Sequence, residues 1–100
     1  MKKKNNDRYV VITTDKDKRG VFFGKLKENN IAKGTAVLHE AQMAVYWSEA
    51  TRGVLGLASI GPQKDSKITP IVPTIELNGV TSIMDTTEEA VKIWKQQRWN

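Results

Sequence analysis

Two aromatic side chains and one guanidinium group fall within seven positions of the chain, at Tyr46, Trp47 and Arg52. An aromatic face stacks on a nucleobase, and a guanidinium group forms paired hydrogen bonds with phosphate oxygens. Lys25 and Arg19 belong to an earlier basic stretch and would add positive charge if the fold brings them to the same face. We therefore predict that these five residues bind a small anionic ligand, such as a nucleotide.

The same aromatic pair also fits a structural role. Neighbouring residues of a strand face opposite sides, so Tyr46 and Trp47 could divide between the core and a subunit contact. Trp99, near the chain end, either packs back on its own domain or enters a neighbouring subunit. A homo-oligomer is expected on this basis, and the structural role of the pair stays open as an alternative.

The sequence lacks the patterns of a catalytic or metal site. Cysteine is absent, which excludes disulfides and thiolate metal sites. His39 is the single histidine, and the acidic residues show no spacing typical of metal ligation or of a paired-carboxylate site. We predict a protein without catalytic residues, metal or cofactor. A small nucleotide hydrolase that uses the scattered acids is the enzymatic alternative.

Positive charge is concentrated in the first third of the chain. Residues 1–33 contain ten Lys and Arg against four Asp and Glu, whereas residues 34–100 contain six against seven. This asymmetry is typical of contacts with an anionic partner, and it is also typical of a solvated surface that aids solubility. The second functional hypothesis is therefore a module that binds nucleic acid or a host protein through the basic N-terminal third.

The elements that must position these residues are short strands separated by polar turns. Composition predicts strands at residues 8–14, 21–28, 35–40, 43–47, 74–77 and 80–84. The third and fourth could instead form one long bent strand. Gly24 predicts a bulge or bend where a small barrel curves. Asn78-Gly79 predicts a two-residue hairpin turn with positive φ angles.

A helix is predicted near the end of the chain. Thr86 and Glu89 have the spacing of a capping box, and Trp94 belongs to an apolar face at helical spacing. Residues 54–60 are ambiguous, because Gly53 and Gly56 weaken a helix there.

These elements predict a mainly β fold, a small SH3-like or Sm-like β-barrel of about five or six strands with a short C-terminal α-helix. Residues 1–7 are expected to be a flexible basic tail, and residues 8–100 a single domain. No apolar run approaches the roughly 18 residues of a membrane span, and no signal peptide is recognisable. A cytoplasmic location is expected.

Several stretches resemble a family of small, uncharacterised phage-encoded domains. They are residues 20–26 (GVFFGKL), residues 43–47 (MAVYW), and residues 72–83 followed by the capped helix. The resemblance covers roughly residues 8–95. It implies a phage origin and the cytoplasm of a host cell, and it supplies no activity. Small non-enzymatic phage proteins often act by binding. By this analogy we expect an oligomer that sequesters a nucleotide immune signal of the host, an anti-defence role.

Overall fold

The computed structural model describes residues 7–15 and 20–96. These residues form β1 (Tyr9–Thr14), β2 (Gly20–Asn30), β3 (Thr35–Tyr46), a 3-10 turn (Glu49–Thr51), α1 (Gly53–Ser59), β4 (Lys67–Ile68), β5 (Val72–Leu77), β6 (Val80–Asp85) and α2 (Glu88–Gln96). The predicted mainly β class and the short C-terminal helix are confirmed. The ambiguous segment after Arg52 is helical. No described helix is long and apolar enough to span a membrane.

All strand pairs are antiparallel, and β3 pairs with three other strands, β2, β4 and β5. The order is β4-β3-β2-β1-β6, and β5 pairs with β3 as well. β5 lies beside the first half of β3, and β4 lies beside the second half. Within the described residues, β5 and β6 do not pair with each other. The sheet is therefore curved but not closed into a barrel.

The curvature comes from bends in β2 and β3. The β2–β3 register shifts between Phe23 and Lys25, and Glu40 opposite this region has a φ of 53°. A Cβ atom on Gly24 would lie 3.0 Å from the carbonyl oxygen of His39, so glycine permits the close approach of the two strands. The bend predicted at Gly24 is confirmed. Of the two alternatives predicted within residues 35–47, two strands or one long bent strand, the structure shows one long bent strand, β3.

The sheet has an apolar core on each side. The outer core lies between the sheet and the two helices, and its buried residues are Val11, Val21, Phe23, Ala44, Leu57, Ala58, Ile68, Ala90 and Trp94. The inner core lies on the opposite face of the sheet and contains Val10, Ile12, Ala36, Leu38, Ala41 and Leu77. Because successive side chains point to opposite faces, β1 supplies both cores. This explains its near-continuous apolar sequence.

Helix α2 begins one residue later than the capping-box prediction. The hydroxyl oxygen of Thr87 accepts a hydrogen bond from the Ala90 N–H at 3.0 Å, so Thr87 is the N-cap residue. The same hydroxyl donates to the carbonyl oxygen of Ser59 at 2.7 Å. The Thr86 hydroxyl instead donates to the carbonyl oxygen of Tyr9 at 2.8 Å. The prediction of Thr86 as the cap is wrong, because its hydroxyl group forms a hydrogen bond with the backbone of β1 and not with the first turn of the helix.

The segment Asn78-Gly79 does not form the predicted hairpin. Gly79 has a φ of 69°, but Asn78 is not among the residues with positive φ. Leu77 pairs with β3, whereas Val80 pairs with β1. The hairpin prediction is wrong because β5 and β6 each pair with a different strand. The two residues instead cross from one edge of the sheet to the other.

Candidate ligand-binding groove

A groove with a volume of about 380 Å³ lies at the end of the sheet where β1 ends and β2 begins. Its lining residues come from β1, β2, the end of β3, the residue that follows β3, and the start of α1. They are Thr13, Thr14, Gly20, Val21, Met43, Ala44, Val45, Trp47 and Val54. None of these side chains carries a charge. We call this feature the Trp47 groove, since Trp47 is the only aromatic residue among the described residues that line it.

Trp47 and Tyr46 have different environments. Trp47 follows the last residue of β3, is half-buried, and packs against the outer core. The next residue is held by a hydrogen bond from the Ser48 N–H to the Ser66 hydroxyl oxygen at 3.1 Å. Tyr46 is 54% exposed, lies opposite Lys67 of β4, and is absent from the groove lining. The indole is therefore the member of the pair that a bound ligand would contact in the groove.

Arg52 lies close in the chain to the rim of the Trp47 groove. It is exposed and joins the 3-10 turn to α1 in the left-handed conformation, with φ 70° and ψ 40°. Its backbone N–H donates to the carbonyl oxygen of Glu49 at 3.0 Å. Val54, two residues later, lines the groove. The Arg52 backbone is thus held in a short, hydrogen-bonded turn that directly precedes the part of α1 lining the groove.

Lys25 lies far from the Trp47 groove. It pairs in register with His39 of β3, and the seven residue steps from His39 to Tyr46 span roughly 23 Å of strand. Its ammonium group lies 3.1 Å from a carboxylate oxygen of Glu40 and 3.5 Å from one of Asp7. The hydrogen bond to Glu40 is the main cause that raises the pKa of Lys25, and partial desolvation opposes it. The fold does not bring Lys25 to the groove.

Arg19 lies outside the described residues. It directly precedes Gly20, which lines the Trp47 groove. The structure therefore places Trp47 in the groove and Arg52 beside it in the chain, whereas it places Tyr46 on the open surface and Lys25 at the opposite part of the sheet. The assignment of all five residues to one ligand site stays a prediction.

Sequence reasoning missed most of the groove lining. Val45 and Gly20 belong to strand ends that meet only through tertiary pairing of β2 with β3, as the neighbouring pair Phe22 and Met43 shows. A pattern within a few consecutive residues does not predict which strand ends become neighbours. The apolar residues Val45 and Leu55, respectively 48% and 71% exposed, are a second feature that strand and helix patterns did not single out.

The groove lining is suited to binding rather than to acid–base chemistry. Of the residues that the structure describes, the lining contains Thr13 and Thr14 with their hydroxyl groups but no acidic, basic or histidine side chain. The Thr13 hydroxyl lies 2.6 Å from those of Thr81 and Ser82. Within residues 7–15 and 20–96, no group of three His, Cys, Asp or Glu residues is arranged to hold a metal ion.

Fold and groove together define a small, mainly β domain with an open curved sheet and a surface groove whose described lining residues are uncharged. Residues 7–94 match a protein family described as a domain of unknown function (DUF6948). The chain belongs to this family. No curated protein and no solved structure matches it. The expected membership in a family of unknown function is confirmed, and the phage origin stays a prediction.

Proposed function

We propose that this protein is a non-catalytic binding protein whose Trp47 groove receives the planar ring of a nucleotide. The observation that carries the proposal is a half-buried indole in an uncharged groove of about 380 Å³. This volume falls within the roughly 300–1,000 Å³ range of small-molecule sites. A nucleobase stacked on Trp47 would be removed from water on one face, a favourable and base-tolerant contact.

The anionic part of the ligand would lie outside the groove, towards Arg52. Among the described residues the lining offers no cation, so a phosphate group gains most by lying at the rim, near Arg52. The exposed Arg52 side chain starts two residues from the groove wall and can form paired hydrogen bonds with phosphate oxygens. The net charge of +5 would further attract anions by long-range electrostatics.

Sequestration of a nucleotide immune signal in a host cell would need binding without turnover. The expected phage origin supplies this role by analogy. The exposed apolar side chains of Val45 and Leu55 would favour contacts between copies, in keeping with the proposed homo-oligomer. Stoichiometric retention of an unaltered nucleotide is the behaviour that such a protein would show.

Native mass spectrometry with a panel of cyclic and linear nucleotides tests this proposal. We expect one nucleotide species to be retained at fixed stoichiometry without conversion. Trp47→Ala should then weaken binding about tenfold or more, because stacking contributes about 1–3 kcal/mol per base. Tyr46→Ala is the matched control and should bind as the unaltered protein does. Equal loss in both variants, or retention in neither protein nor variants, would contradict the groove assignment.

A host-protein or nucleic-acid module is the second candidate. The exposed apolar residues Val45, Tyr46 and Leu55 favour a protein partner, since apolar surface of this kind is typical of interaction sites. The basic N-terminal third favours nucleic acid instead. Binding to DNA or RNA would fall steeply as salt rises, because counterions are released. A flat salt response would exclude the nucleic-acid version.

A further inference from the structure

The link between β5 and β6 contains an asparagine followed by glycine, Asn78-Gly79, at the surface. Asn78 is exposed, and no hydrogen bond holds its side-chain amide within the described residues. By contrast, the Asn30 side-chain oxygen accepts a hydrogen bond from the Lys33 N–H at 3.1 Å. Asn78 is also the one asparagine in the sequence that a glycine follows. We propose that Asn78 is a site of spontaneous, non-enzymatic deamidation that produces isoaspartate.

The chemistry requires only the chain and water. The deprotonated backbone nitrogen of Gly79 attacks the side-chain carbonyl carbon of Asn78, a new carbon–nitrogen bond closes a five-membered succinimide, and ammonia leaves with the former amide nitrogen. Water then adds to either carbonyl of the ring. Opening at one carbonyl gives aspartate, and opening at the other gives isoaspartate, in which the main chain runs through the former side chain.

The fold favours the glycine of this reactive pair, because position 79 disfavours any side chain. Gly79 has a φ of 69°, a conformation that side chains disfavour. A Cβ atom there would lie 3.0 Å from a carboxylate oxygen of Asp15. Glycine also leaves its own nitrogen without the steric shield of a side chain. Substitution at Gly79 is thus restricted, whereas the exposed Asn78 has no comparable restriction.

Isoaspartate at position 78 would disturb the point where three segments meet. Leu77 is held by pairing with Ala36 of β3. On the other side of the link, the Gly79 carbonyl oxygen accepts from the Asp15 N–H at 3.0 Å, and the Val80 N–H donates to the Gly34 carbonyl oxygen at 3.0 Å. An additional methylene group in the main chain between these fixed points cannot preserve both hydrogen bonds.

The opened link would also widen a neighbouring groove. A cavity of about 190 Å³ lies between the β2–β3 turn and β6, and its lining includes Gly34 and Val80. The hydrogen bond between these two residues holds the turn against β6. Its loss would separate the two walls of this groove, so an aged protein would differ from a fresh one in this region and not at the distant helices.

Incubation of the purified protein at mildly alkaline pH, followed by peptide mapping and isoaspartate assay, tests the proposal. We expect deamidation at Asn78 that is faster at higher pH, with isoaspartate among the products. Hydrogen exchange at the Asp15 and Val80 amides should accelerate about tenfold or more in the aged protein, because two hydrogen bonds are lost.

Two variants serve as matched controls. Asn78→Gln should resist the reaction and keep slow exchange, since its longer side chain does not close the five-membered ring. Asn78→Asp carries the new negative charge without the altered main chain. Freshly purified, it should therefore show the same hydrogen-exchange rates at the Asp15 and Val80 amides as the fresh unaltered protein. An intact Asn78 in the folded protein, under conditions where a synthetic peptide of residues 76–81 deamidates, would overturn the proposal.

Discussion

The indole N–H of Trp94 donates a hydrogen bond to the carbonyl oxygen of Leu57 at 2.9 Å, and both residues are completely buried. This bond joins α2 to α1. The Trp94 ring also stacks on Phe23 of β2, with ring centroids 4.7 Å apart and an interplanar angle of 5°. Phe23 in turn stacks on Tyr9 of β1 at 5.5 Å. Trp94 therefore connects both helices to β2, and Phe23 extends the stack to β1.

We expect Trp94→Phe to lower the free energy of unfolding by about 2–4 kcal/mol. The replacement leaves the Leu57 carbonyl oxygen buried without its partner, and it removes volume from the outer core. Urea denaturation followed by circular dichroism measures the change. Tyr9→Phe is the control, because its hydroxyl contacts the exposed Lys95 ammonium group at 3.1 Å and should contribute little. Equal stability of the two variants would contradict the role assigned to the buried bond.

Local sequence patterns predicted the elements of this fold better than their partners. Strand composition located β1 and β2 to within about two residues at either end, and Gly24 indicated the bend, because both signals lie in a few consecutive residues. The pairing of β5 with β3 and of β6 with β1 depends on distant segments. Asn78-Gly79 therefore predicted the position of a turn correctly, but it wrongly predicted a hairpin. The preference of these residues for turns carries no information about which strands the flanking segments pair with.

For the candidate site as well, the sequence predicts relationships between neighbouring residues but not those that depend on strand pairing. The proximity of Trp47 to Arg52 follows from the sequence, because they are five residues apart. The separation of Lys25 from Tyr46 does not, because it depends on the register in which β2 pairs with β3. The environment of the aromatic pair was also undecidable from sequence, since either residue could have faced the core.

Gly56 and Gly53 of α1 provide a paired test of steric fit. A Cβ atom on Gly56 would overlap the carbonyl oxygen of Thr51, whereas one on Gly53 would meet no atom within 4 Å. Thr51 is completely buried, and its hydroxyl oxygen accepts a hydrogen bond from the Gln63 N–H at 2.9 Å, so it cannot move freely.

Gly56→Ala should therefore lower the free energy of unfolding by about 3 kcal/mol or more. Gly53→Ala should lower it by only about 1 kcal/mol, because Gly53 has a φ of 83° and the strain is confined to its own backbone. Chemical denaturation of both variants measures the difference. A larger loss for Gly53→Ala would show that backbone conformation, not the overlap with Thr51, governs this turn.

The ion pair between Lys25 and Glu40 predicts that the stability of the protein changes with pH as the Lys25 amine titrates. The pKa of Lys25 is raised above 10.5, chiefly by the hydrogen bond to Glu40. Because the folded state favours the protonated amine, the stabilising contribution is fully present below pH 10.5 and is lost as pH rises through the raised pKa.

Nuclear magnetic resonance titration of the Lys25 side chain measures this shift directly. Glu40→Gln should lower the Lys25 pKa, since the amide retains the shape of the side chain without its charge. Glu49→Gln removes a carboxylate from the 3-10 turn and should leave the Lys25 titration unchanged. An identical Lys25 pKa in the Glu40→Gln variant would show that another group stabilises the ammonium ion.

Arg52 allows binding and folding to be separated in one set of variants. Its left-handed φ of 70° is unfavourable for arginine but accessible to glycine. Arg52→Gly should therefore raise the free energy of unfolding by about 0.5–1 kcal/mol, because relief of the left-handed strain outweighs the larger conformational entropy that glycine gives the unfolded chain. Removal of the guanidinium group should at the same time weaken the proposed nucleotide binding. Arg52→Lys keeps both the charge and the strained backbone, so its stability should be unchanged and its affinity intermediate, because an ammonium group cannot form the paired contact with phosphate. Thermal denaturation and calorimetric titration with the nucleotide retained in native mass spectrometry measure both quantities. Undiminished affinity in a stable Arg52→Gly protein would remove Arg52 from the proposed site, and the phosphate would then require a different cation.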